Sequence, residues 1–144
     1  MGIRSVLFAA AAAMSVCGSA SAVEVRNLDG FERYFGRYAP GGDCTRQPQV
    51  AIDREGFAFT GGPALPKATA PEYAASYMGN DYQGIGHWFF PYPAEPRPYL
   101  LNLDADETPG KLTLDVFEFD YAGGPKLPDR YRPYVAASPY RKCR

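Results

Sequence analysis

His87 is the only histidine, in Gly84-Ile85-Gly86-His87-Trp88-Phe89-Phe90, and it is the side chain best suited to proton transfer near neutral pH. As a general base it would need a nucleophile and an orienting acid, and the chain has no Gly-x-Ser-x-Gly elbow. The plainer expectation is a strand histidine with a hydrogen-bonded ring beside a core tryptophan. Asp104-Ala105-Asp106-Glu107 gathers oxygen ligands of the kind calcium takes. It lacks the central glycine and the distant glutamate of a calcium loop, and Pro109 follows closely, so a solvated turn is expected. Paired carboxylates would suit glycoside hydrolysis, but none of the 16 acids is marked by its context. There is no Cys-x-x-Cys, and two mature cysteines with one histidine make a poor zinc set. No catalytic residue, metal or cofactor is therefore assigned.

Aromatic residues are the stronger signal. Tyr82 to Tyr99 contains Trp88, Tyr92 and four prolines, and a tail holds Tyr131, Tyr134 and Tyr140 among Arg130, Arg132, Arg141 and Lys142. Tyr and Trp give large contact area at small entropic cost and are enriched at interfaces, and their faces stack on sugar rings. The predicted binding residues are Trp88, Tyr92, Tyr99, Tyr131 and Tyr134. The basic tail is solvated or meets an acidic partner.

The compartment follows from the first residues. Residues 1–22 read as a cleavable signal peptide: Arg4, an apolar run from Val6 to about Val16, then Ala20-Ser21-Ala22. Small side chains at Ala20 and Ala22 suit signal peptidase, and the run is shorter than the roughly 20 residues a membrane helix needs. Residues 23–144 are expected to form a single domain, exported to the periplasm or secreted, with no membrane span. Cys17 leaves with the signal, so Cys44 and Cys143 remain as a pair for an oxidising compartment. A bridge between them closes a loop of about 100 residues, for which chain entropy gives roughly 4–5 kcal/mol. Formal charge moves from −1 to −2 when Arg4 leaves, which argues against nucleic acid and against electrostatic membrane attachment.

Short strands and tight turns must position these residues. Asp29-Gly30-Phe31-Glu32 fits a capping box, and Phe31, Tyr34, Phe35 and Tyr38 recur at helical spacing, predicting a short helix near 29–36. Val50 and Ile52, then Phe57 and Phe59 after Arg54-Glu55-Gly56, predict a hairpin. Thr69-Ala70-Pro71-Glu72 predicts a second helix over 70–78. Strands are expected at 84–90, 99–103 and 111–121, the last with a bulge at Val116-Phe117 that returns its apolar side to the core.

Phe57–Ser76 and Phe119–Ser138 also match at an offset of 62, with ten of twenty positions identical, including Gly61/Gly123, Leu65/Leu127 and Ser76/Ser138. This fits a duplicated strand–turn–helix unit, the alternative being chance identity in a chain rich in Gly, Pro and Ala. The fold expected is mainly β with a minor α part: a small antiparallel sheet or barrel-like domain of five or six strands, two short helices and one disulfide. The function expected is non-catalytic binding of a protein or cell-wall glycan partner, an enzyme inhibitor being one form of it. The alternatives are a structural envelope protein and a small hydrolase using His87.

Overall fold

The computed structural model describes residues 22–76, 85–94, 100–103, 108–116, 123 and 126–144. Among them are nine strands: β1 Val23–Glu24, β2 Gly36–Pro40, β3 Gln49–Asp53, β4 Gly56–Thr60, β5 Glu72–Ser76, β6 Gly86–Phe90, β7 Leu100–Leu103, β8 Lys111–Asp115 and β9 Tyr140–Lys142. They form one antiparallel sheet in the order β1-β5-β6-β7-β8-β9-β2-β3-β4, curled into a half-barrel.

Alternation explains why the sheet has a core side. In the β3–β4 hairpin, Val50 faces Phe59 and Ile52 faces Phe57, and all four are buried. Asp53 closes the turn by accepting from the Glu55 amide at 2.8 Å. Gly56 follows with φ +137, and a Cβ there would lie 1.9 Å from the Ala68 carbonyl oxygen. That oxygen accepts from the Phe57 amide and the Ala68 amide donates back, so the returning chain covers part of the outer edge of β4.

On β6, β7 and β8 the same period buries Phe89, Leu101, Leu103, Leu112 and Leu114. Leu28, Leu127, Tyr34, Tyr131 and Tyr134 complete the cluster. Burying each such side chain is worth about 1.5–3 kcal/mol. The buried phenols keep their hydroxyls paired: Tyr38 donates to Tyr34 O at 2.9 Å, Tyr134 to Pro63 O at 2.8 Å and Tyr140 to Tyr134 O at 2.6 Å.

The tail is a central element. β9 lies between β8 and β2, and the Cys143 amide donates to Arg37 O at 2.8 Å. The predicted bridge is present: Cys44 and Cys143, separated by 99 in sequence, are joined with Cα atoms 5.8 Å apart. It fastens the end of β9 to the loop after β2.

Several local expectations need correction. The predicted helix at 29–36 is only a 3-10 turn at Glu32–Tyr34, after which Gly36 starts β2. The predicted helix at 70–78 is strand β5 as far as Ser76. Its capping box is outweighed by pairing on both sides, with β1 and with β6. The α-helix present among the described residues is Arg132–Ala136, with Pro133 in its first turn and a 3-10 turn at Asp129–Tyr131 before it. The matched segments therefore differ in conformation: Glu72–Ser76 is strand, whereas the corresponding residues from Tyr134 to Ala136 are helical. The identities do not encode a repeated strand–turn–helix unit. The Val116-Phe117 bulge, the strand end beyond it and the 104–107 acidic cluster lie outside the described residues.

Candidate functional site

His87 stands near the start of β6, on the same side as Phe89, which puts its ring at the open margin of the core. Both ring nitrogens are engaged. Nδ1 lies 2.9 Å from the Tyr73 hydroxyl on neighbouring β5, and Nε2 lies 3.1 Å from Nη2 of Arg33. A guanidinium only donates, so Nε2 accepts and the proton of the neutral ring is on Nδ1, which donates to Tyr73. Aromatic neighbours fix the ring plane. Tyr73 stacks at 5.9 Å, and Phe31 and Tyr34 meet the ring edge-on at 5.8 and 5.4 Å.

The 3-10 turn brings the other residues. Glu32 accepts from the Gly30 amide at 3.0 Å, and this bond, with its own amide and the charge of Arg54, holds its carboxyl below the usual range. The turn sets Arg33 outward, its guanidinium 4.5 Å over the Tyr34 ring and hydrogen-bonded to the Tyr34 hydroxyl. Gly30, Phe31, Arg33, Tyr34, Ile85 and His87 enclose an open depression of about 400 Å³. Ile85 is 41% exposed and, with Val23, is one of two large apolar side chains so exposed among the described residues. A Cβ at Gly30 would meet none of the described residues within 4 Å.

The depression combines a cation, aromatic edges and an exposed aliphatic group. A ligand reaching His87 finds neither ring nitrogen open, and proton transfer there would first require displacing Arg33 or Tyr73. The chemistry of the surface is apolar contact at Ile85 beside a guanidinium whose Nη2 is already engaged by His87 and the Tyr34 hydroxyl.

None of the predicted aromatic residues lines the His87 depression, and of them Tyr92 and Tyr131 stack on each other elsewhere in the fold. Trp88 points to the face of β6 opposite His87 and is half-buried, so it is not the core tryptophan expected. Its Nε1 and the Oδ1 of Asn102, its cross-strand neighbour, are shielded and have no partner among the described residues. Tyr92 is half-buried, stacks on Tyr131 at 5.9 Å and donates to Pro66 O at 2.5 Å. Tyr131 and Tyr134 are each 2% exposed, and Tyr140 is fully buried. Tyr131 and Tyr134, predicted as binding residues, are thus enclosed with Tyr140 in the half-barrel and not displayed on its surface. Tyr99 lies outside the described residues.

Arg33, Tyr73 and Ile85 were not singled out by sequence. The period-two parity of Ile85, His87 and Phe89 does place those three on one side of a strand, and that signal was available. Among the described residues no helix is long and apolar enough to cross a membrane. Comparison of the chain with protein-family models, with curated proteins and with solved structures finds no match.

Proposed function

We propose that the protein is an exported, non-catalytic binding protein whose contact surface is the His87 depression, and that its partner is a protein or a cell-wall glycan. The observation that carries this reading is the double engagement of His87, by Tyr73 at Nδ1 and by Arg33 at Nε2, beneath an exposed Ile85. A histidine so held positions a guanidinium and ring edges; it does not present a free base. Export is supported by the signal-like residues 1–22 and by the Cys44–Cys143 bridge, which suits an oxidising compartment. An exposed aliphatic group beside an arginine and aromatic edges favours a protein surface with an acidic side chain, since Arg and aromatic groups dominate binding hot spots.

The test is a pull-down with oxidised residues 23–144 against envelope extract and insoluble peptidoglycan, wild type beside Arg33→Glu and Ile85→Asp. Saturable capture that both substitutions reduce, with the circular dichroism spectrum unchanged, supports the reading. Capture indifferent to both substitutions contradicts this choice of surface, and hydrolysis lost on His87→Ala would favour the hydrolase instead.

A further inference from the structure

The two hydrogen bonds of His87 respond differently to a proton. In the neutral ring Nδ1 donates to the Tyr73 hydroxyl at 2.9 Å, and Nε2 accepts from Nη2 of Arg33 at 3.1 Å. Protonation adds a hydrogen at Nε2. The Nδ1 bond survives it, because Nδ1 still donates. The Nε2 bond does not, because imidazolium and guanidinium carry only donors and two cations then repel at contact distance. Tyr73 keeps its place, and Arg33 is the group that must move.

The surroundings leave a side chain free to do so while its backbone stays. The 3-10 turn is held by the Phe31 amide on Leu28 O at 3.1 Å, the Tyr34 amide on Phe31 O at 2.9 Å and the Phe35 amide on Glu32 O at 3.0 Å. The Lys142 ammonium donates to Arg33 O at 3.0 Å, so β9 also fixes the turn. The Arg33 side chain itself is exposed. The imidazole ring is held by Tyr73, Phe31 and Tyr34.

Among the described residues, Arg33 and Tyr34 face the ring from the turn and Tyr73 faces it from β5. Its cross-strand partners, Ala75 on β5 and Leu103 on β7, are apolar. The acids of these elements are directed elsewhere. Glu32 accepts from the Gly30 amide at 3.0 Å, Asp29 pairs with Arg54 at 2.8 Å, and Glu72 alternates to the face of β5 opposite Tyr73.

We propose that His87 and Arg33 form a proton-operated latch: protonation of His87 at Nε2 expels the guanidinium, and deprotonation draws it back onto the ring. In the closed state Nη2 is occupied by His87 and the Tyr34 hydroxyl. In the open state the guanidinium can turn to a carboxylate of a partner. Tighter capture of an acidic partner in acid rests on the binding role proposed above; the latch does not depend on it.

The experiment is an NMR titration of oxidised residues 23–144, without an affinity tag, over about pH 4 to 9, which brackets imidazole titration. His87 is the only histidine, so its ring signals are unambiguous. Long-range proton–nitrogen correlations should show the Nδ1-protonated tautomer at high pH. Arg33→Met keeps an apolar stem and removes the charge and the donors, and it should raise the His87 midpoint by about one unit. In the wild type the Arg33 Nε–Hε signal should shift with the same midpoint as His87. Lys126→Met, which removes a cation at an exposed position outside the depression, should titrate as wild type. Coincident midpoints in wild type and Arg33→Met, an equal rise in Lys126→Met, an Nε2-protonated neutral ring or an Arg33 signal indifferent to His87 would each overturn the latch, in variants with wild-type circular dichroism. No partner is present, so this result and that of the pull-down fail or stand separately.

Discussion

Opening the Cys44–Cys143 bridge should cost this protein a large fraction of its stability. The cross-link spans 99 positions, and for a loop of that length chain entropy gives about 4.7 kcal/mol. Domains have roughly 0.05–0.15 kcal/mol of stability per residue, or about 6–18 kcal/mol for residues 23–144. The bridge also acts locally. It anchors the end of β9, and β9 is the strand through which β8 and β2 belong to one sheet. Fraying of β9 would open two ladders at once. Urea unfolding followed by tyrosine fluorescence, with and without reductant, measures the effect. With a slope near 2 kcal/mol/M the midpoint should fall by about 2 M. Hydrogen exchange should show the amides of Tyr140 to Cys143 losing protection first. A midpoint shift below about 0.5 M, or undiminished protection in β9, would refute the claim that the bridge holds the tail in the sheet.

The other predictions concern single groups. Burial raises the phenols of Tyr134 and Tyr140 above the ordinary tyrosine value near 10, so the folded protein retains protons that the unfolded chain gives up. Their contribution is whole below pH 10 and declines as pH rises beyond it. Absorbance at 295 nm should therefore show late tyrosinates appearing together with loss of ellipticity. Gly56→Ala places its Cβ against the Ala68 carbonyl and should cost about 2 kcal/mol or more. Gly123→Ala, with φ +90 but none of the described residues within 4 Å of its Cβ, should cost only about 1 kcal/mol, and paired thermal melts compare the two. Gln49 is buried and its Nε2 donates to Cys44 O at 2.8 Å and Arg46 O at 2.9 Å, so Gln49→Ala should lose about 1–3 kcal/mol in urea titration.

What could be read in the residues follows from which forces are local. The β3–β4 hairpin was legible because two short alternating runs flank a two-residue turn and bury the same parity. The disulfide was legible because, once Cys17 is set aside with the signal-like residues 1–22, Cys44 and Cys143 allow one pairing. The segment 70–78 misled because Pro71, Glu72 and two alanines satisfy helix rules in isolation. What makes it β5 is long-range: Tyr73 pairs with Phe89 across the ladder and packs on Phe31 at 5.0 Å. Tyr131 and Tyr134 carried a signal that charge obscured. They are three apart around Pro133, a helix-start spacing, and the arginines beside them take the outer side. Of the site, His87 and its hydrogen-bonded strand position were readable. Its partners were not, because Arg33 comes from 54 residues away through a turn that the pattern cast as helix.

The central claim is that the His87 depression binds a partner, and the most direct measurement is a binding isotherm for whatever the pull-down captures. The wild-type protein should saturate. Ile85→Asp and Arg33→Glu should each weaken binding by about tenfold or more, as expected when a buried anchor or a charged contact is lost. Isotherms that superpose for all three proteins, with folding intact, would contradict the claim.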